Sequence, residues 1–94
     1  MNYKVVEVID GDTFSIDPKI KRKEYELEKV RPTGYNTPEM GKPQYAEMTK
    51  KLRNLILGQN VDVGPVKDID RDRAVCDVTF QGKDLADYFP EYKI

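Results

Sequence analysis

Two apolar-rich runs, YKVVEVI (Tyr3–Ile9) and TFSI (Thr13–Ile16), flank the triplet Asp10-Gly11-Asp12. An Asp-Gly pair between such runs predicts a β-hairpin, with Phe14 and Ile16 on one face of its second strand. The polar, basic run DPKIKRK (Asp17–Lys23) reads as the connection that follows, punctuated by Pro18. A third strand is predicted over Glu24–Arg31. Its alternation holds through Tyr25 and Leu27 and slips at Val30, a fault that one bulge would repair. Pro32, with no amide to donate, predicts that pairing stops there or lies at an edge.

RPTGYNTPEMGKP (Arg31–Pro43) carries three prolines and two glycines, which leaves a loop. Pro43 suits the first turn of a helix. Tyr45, Met48, Leu52, Leu55 and Ile56 then recur on one helical face, Lys50, Lys51, Arg53 and Asn54 lie off that stripe, and Gly58 is placed to cap the end. NVDV (Asn60–Val63) reads as a fourth strand ended by Gly64-Pro65, and DIDRDR (Asp68–Arg73) as a charged loop. AVCDVTF (Ala74–Phe80) reads as a fifth strand with Cys76, Val78 and Phe80 on one face. Gln81-Gly82 turns the chain into a short C-terminal helix, roughly Lys83–Phe89. The order is that of a mainly β domain with some α: a five-stranded OB-fold barrel, its main helix between strands three and four. An α+β sandwich would read much the same.

Ninety-four residues, 38% apolar and 35% charged, predict one domain spanning 1–94 with a small core. The net charge of −1 excludes a generally basic nucleic-acid coat, so any polyanion contact must come from local clusters. One cysteine, Cys76, excludes an internal disulfide and reads as a small core residue. The absence of histidine removes His-dependent triads and leaves carboxylates, arginines, lysines and tyrosines for any chemistry. No signal peptide or membrane span is recognisable, so the expectation is a cytoplasmic monomer, or a secreted one if the chain is a processed form.

Three segments carry more charge than their structural roles need: Asp10 and Asp12 at the hairpin; Arg31 with Asn36, Thr37 and Glu39 around the long loop; and Arg71 and Arg73 before strand five. Each has an ordinary reading, as a turn, a solvated acid or a salt-bridged surface loop. Together they allow a chemical one. Asp12, the Asn36 side-chain carbonyl and the Thr37 backbone carbonyl are hard oxygen donors of the kind Ca²⁺ takes. Two arginines can grip a phosphate through forked hydrogen bonds, and Glu39 can position or deprotonate a water. Lys19, Lys21, Arg22 and Lys23 form a basic run that reads equally as a phosphate-contacting patch or a solvated connection.

The motifs VIDGDTFSI, VRPTGYNTPE, PQYAEMTKKLRNLILGQNVDV and DRDRAVCDVTFQGKDL, in this order, resemble the thermonuclease family, the staphylococcal nuclease-like OB-fold domains. The resemblance covers about Val5 to Leu85. It implies Asp12 as a direct Ca²⁺ ligand supported by Asp10, Thr37 as a backbone ligand, Glu39 as general base or water-orienting acid, and Arg31 and Arg73 as phosphate-binding arginines. It also implies hydrolysis of DNA and RNA that leaves 3′-phosphate ends. Arg71, Lys50 and Lys51 are candidate nucleic-acid contacts, and Tyr88 and Tyr92 can stack on bases or pack on the barrel. The chain departs from the family pattern in several places. Asn36 stands where a second acidic ligand is usual, which predicts weaker metal binding. Tyr35 replaces an apolar residue, and Pro32 a leucine-like one. DRDR lacks the family's tyrosine and is one residue short, and the loop from Glu39 to Pro43 is short.

The expected function is a Ca²⁺-dependent phosphodiesterase acting on nucleic acid, single-stranded in preference. Two alternatives stand beside it. One is a catalytically impaired module that binds nucleic acid without cutting it, suggested by Asn36; the other is a protein-interaction domain that keeps only the scaffold.

Overall fold

The opening hairpin forms where the Asp-Gly pair predicts it, β1 (Asn2–Asp10) pairing antiparallel with β2 (Thr13–Arg22) and closing at Asp10 opposite Thr13. The computed structural model describes residues 1–94. A register shift in β1 between Val5 and Glu7 lets Val5 and Val8, three apart in sequence, both face the core. β2 runs on through most of the basic segment that reads as a connection. Its pairing with β3 (Tyr25–Pro32) places Ser15 opposite Lys29 and Ile20 opposite Leu27, so five steps of β2 match two of β3. The irregularity expected on strand three is thus carried by β2, around Pro18, which has no amide for a ladder.

The loop delivers the chain to α1 (Tyr45–Ile56), which begins two residues after Pro43, with Gln44 left-handed at φ 72°. Thr49, Leu52 and Ile56 are buried and Tyr45, Met48 and Leu55 half-buried, so the predicted stripe is the packed face. Gly58 takes φ 78°, a conformation that glycine adopts without penalty, and its N–H donates to the Val5 carbonyl at 2.8 Å. The end of the helix is thereby fastened to β1.

β4 (Asn60–Val63) forms as predicted. The charged loop does not: Asp68–Asp70 is a strand, β5, turning through Arg71-Asp72 into β6 (Arg73–Cys76). With one apolar residue, Ile69, it offers no periodicity to read. The predicted fifth strand is divided at Asp77 into β6 and β7 (Val78–Phe80), although Cys76, Val78 and Phe80 are all buried as the alternation requires. β6 runs parallel to β3, while β7 pairs with β4. At the division, the Cys76 carbonyl accepts from Thr33 N–H at 3.0 Å, after β3, and the Asp77 carbonyl accepts from Gly64 N–H at 2.9 Å, after β4. Two neighbouring carbonyls thus serve two strands, β3 and β4, that are not neighbours in the sheet. In place of the expected C-terminal helix are a short strand, β8 (Lys83–Asp84), and two 3₁₀ turns, Leu85–Tyr88 and Pro90–Tyr92.

The domain is α+β, mostly strand with one α-helix. Its sheet has the order β5-β6-β3-β2-β1-β4-β7-β8, which is open, so the hydrogen bonding does not give the closed five-stranded barrel expected from the element order. A single core unites β1 to β4, β6, β7 and the C-terminal turns, with Phe14, Val30, Tyr35, Leu52, Ile56, Leu85 and Phe89 among its fully enclosed members. No helix is long and apolar enough to cross a membrane.

Candidate active site

Gly11 is the point about which the site is built. It is buried, and a Cβ built on it would lie 2.5 Å from Thr37 Oγ1 and 2.9 Å from Thr37 Cβ. Only a residue without a side chain lets the loop press this closely on the hairpin turn. The Thr37 N–H donates to Asp12 Oδ2 at 3.3 Å, and Tyr35, two residues back, donates its hydroxyl to the Gly11 carbonyl at 2.9 Å. Tyr35 is fully buried and stacked on Phe89, ring centroids 4.7 Å apart and 6° from parallel. Burial, and then the charges of Asp12 and Asp10, push its phenol far up, which keeps it a donor.

A cavity of about 520 Å³ opens over this junction, and Asp10, Asp12, Arg31, Thr37, Glu39, Arg71 and Arg73 all line it. The sequence-predicted acids and arginines, from three separate segments, therefore share one space. Asp12 N–H donates to Asp10 Oδ1 at 3.1 Å, which holds the two carboxylates beside each other. Burial and then the adjoining Asp10 push the Asp12 carboxyl up to about 6, against the opposing pull of the Thr37 amide and Arg31.

Arg73 is braced twice: Nη2 donates to Asp70 Oδ2 at 2.5 Å and Nη1 to Thr13 Oγ1 at 3.1 Å. The turn between β5 and β6 sets the first contact by placing Asp70 opposite Arg73. Arg71, in the same turn, holds φ 60°, a left-handed conformation unusual for a long side chain, and makes no side-chain hydrogen bond or ion pair.

Asn36 is placed differently from its expected role. Its side chain is exposed, and its Oδ1 accepts from Arg31 Nη2, so the oxygen expected for a metal is turned to a guanidinium. No group of three or more His, Cys, Asp or Glu side chains is arranged to hold a metal ion. The carboxylate donors for a cation are Asp10 and Asp12, and what Thr37 turns to Asp12 is its N–H, not the carbonyl expected as a ligand. A carboxylate pair fits a loosely held hard cation with water completing its shell, and a cation there would offset the burial and the adjoining Asp10 charge that raise Asp12.

Lys50, Lys51, Tyr88 and Tyr92 lie outside the cavity lining. Lys50 is exposed on α1. Lys51 Nζ sits over the Phe89 ring at 4.7 Å from its centroid. Tyr88 donates to the Phe80 carbonyl at 2.9 Å and carries Lys83 over its face, while Tyr92 packs half-buried on the core. Sequence reasoning overlooked Asp70 and Thr13, which brace Arg73, and assigned Tyr45 to the core face, though it also lines the cavity beside Met40. For Asp70 the signal was present, as an acid and an arginine on either side of a two-residue turn.

The raised Asp12 carboxyl gives a stability prediction with a definite sign. A folded-state value of about 6 above an ordinary 3.8 means that the folded chain binds the proton more tightly. The resulting stabilisation is full below 3.8 and is lost as pH rises through 6. Asp12→Asn is therefore expected to melt higher than wild type at neutral pH without metal, by ~1 kcal/mol after allowance for solvent screening at this half-buried group. The gap should close in acid. Melting curves at both pH values decide it, and a less stable Asp12→Asn at neutral pH would contradict the account from burial and the Asp10 charge.

The chain matches no protein-family model and no curated protein, so the thermonuclease resemblance rests on its sequence motifs alone.

Proposed function

We propose that the cavity hydrolyses phosphodiester bonds of nucleic acid with the help of Ca²⁺. The observation that carries this reading is the convergence on one cavity of a carboxylate pair, a separate glutamate and three arginines. Four carboxylates line it against three guanidiniums, counting Asp70. That balance suits a site meant to take both a divalent cation and a phosphate. Asp12 and Asp10 would hold the ion, which when bound supplies Lewis-acid polarisation of the phosphoryl oxygens.

The remaining roles belong to the chain's own groups. Arg73, fixed in orientation by Asp70 and Thr13, presents its unused donors to the phosphate and stabilises the charge that builds there during attack. Arg31 does the same from β3, with Asn36 restricting its guanidinium. Glu39, exposed at the cavity rim, orients a water and accepts its proton. We further propose that the open sheet is an OB-fold barrel in its path, curled so that its β3–β6 side and its β4–β7 side meet at Cys76-Asp77, where the chain passes from one to the other and two adjacent carbonyls serve both.

A single-strand DNA cleavage assay with Ca²⁺ and with chelator tests the function. Cutting is expected with Ca²⁺ and is expected to stop with chelator; unchanged cutting in chelator would remove the ion from the reaction. A second reading, a module that binds without cutting, is favoured by one observation, the turning of Asn36 onto Arg31. Binding without cleavage at saturating Ca²⁺ would select it.

Arg71 offers a separable test. Its left-handed backbone costs about 1 kcal/mol for a residue with a side chain, a cost that a role for Arg71 at the substrate would offset. Arg71→Gly should raise the melting temperature by a few degrees while weakening substrate binding severalfold. Tighter or unchanged binding would show that the strained turn does not serve the substrate.

A further inference from the structure

Arg22, Lys23 and Tyr25 stand together at the far end of β3, at the tip of the β2–β3 hairpin, with Arg22 directly opposite Tyr25 in the ladder. They line a cavity of about 300 Å³ with Lys67, Asp68 and Ile69. Tyr25 is 57% exposed, the most exposed aromatic ring of the chain, and its hydroxyl has no hydrogen-bond partner. Arg22 and Lys23 have no ion-pair partner, while Lys67 is paired with Asp77 at 2.9 Å. Asp68 is the one acid in the lining, so with Lys67 neutralised by Asp77 the two free cations still leave the cluster net positive in a chain of net charge −1.

We propose that this cluster is a second contact for a single-stranded nucleic acid, in which Tyr25 stacks a base and Arg22 and Lys23 hold the flanking phosphates. The proposal rests on the nucleic-acid reading of the active site and extends it along the chain. Tyr25 and Arg31 lie on the same strand, six residues apart, about 20 Å. A groove joins the two places: Arg71 lines both the active-site cavity and the groove, and Tyr25 and Ile69 line both the groove and the basic cavity. Glu26 and Glu28 line this groove without an ion-pair partner, and Asp72 is held by Lys29 at 2.9 Å. Phosphates between the two places therefore stay in solvent, and the contact is made at two points. Joining two weak contacts through one strand makes the second nearly intramolecular, but only once the strand is long enough to span them.

The signature is a length threshold. Affinity is measured by fluorescence anisotropy in chelator, with an oligothymidylate trinucleotide and a dodecanucleotide as probes, for wild type, Tyr25→Ala and Lys23→Gly. Tyr25 is exposed and Lys23 holds φ 54°, so neither substitution removes a packed group and glycine relieves strain at the second. Each is expected to weaken dodecanucleotide binding about tenfold and to leave trinucleotide binding unchanged. Equal affinity of wild type and both variants for the longer probe, equal losses on both probes, or no binding by wild type would overturn the proposal. Because chelator stops turnover, a protein that never cleaves DNA but shows the threshold loses the hydrolytic reading and keeps this one. A protein that cleaves but shows no threshold does the reverse.

Discussion

Arg73→Ala is expected to lower single-strand cleavage about a thousandfold while leaving the melting temperature within a few degrees of wild type. The asymmetry follows from where the guanidinium sits. Its contacts to Asp70 and Thr13 occupy one hydrogen each on Nη2 and Nη1, and a guanidinium has five. The donors left over are available to a phosphate and make no contact that holds the fold. Loss of the side chain releases Asp70, which is 45% exposed and is resolvated by water, so little stability is lost. Arg73→Lys keeps a positive charge but cannot make the two braces and the forked phosphate contact together, and should recover only a small part of the rate. Wild-type cleavage by Arg73→Ala would remove this arginine from the reaction and leave Arg31 alone to carry the charge.

Gly11→Ala should unfold the domain at a melting temperature lower by roughly 10 °C, and should abolish cleavage at temperatures where it remains folded. The added methyl meets Thr37 at Oγ1, Cβ and Cγ2, all within 3 Å, and the Cβ can be moved only by moving the backbone. Displacing Thr37 stretches its amide away from Asp12 and strains the Tyr35 hydroxyl bond to the Gly11 carbonyl. The loop that carries Glu39 then leaves the hairpin that carries the carboxylate pair. Thr37→Ala removes Oγ1 and Cγ2, so the double variant Gly11→Ala/Thr37→Ala should be more stable than Gly11→Ala, a coupling that a double-mutant cycle measures directly. A Gly11→Ala protein that melts and cleaves like wild type would show that the loop is free to shift.

Hairpin, helix and inward faces were legible because each is a local signal. The Asp-Gly turn, the stripe from Tyr45 to Ile56 and the alternation of Cys76, Val78 and Phe80 need no partner to be recognised. The meeting of Asp12, Glu39 and Arg73 was visible only as three charged segments in excess of structural need, and their shared cavity is a product of the sheet order. What stayed hidden has a common cause. β5 contains one apolar residue and is a strand because β6 is beside it, and the division at Asp77 arises because β3 and β4 each claim one half of the segment. The turning of Asn36 onto Arg31 depends on a five-residue separation across an irregular loop, which no periodicity describes.

The division at Asp77 also determines how the domain can come apart. Since consecutive carbonyls at Cys76 and Asp77 fasten the ends of β3 and β4, neither end can open by itself without pulling on the peptide that secures the other. Opening is then shared between the half of the molecule bearing Arg31 and Arg73 and the half bearing the N-terminal ladder. A solvent-exchange experiment would find the Thr33 and Gly64 amides protected to the same degree, exchanging as members of one cooperative unit. The candidate site would thus have the lifetime of the whole fold, with no shorter-lived partial opening of its own.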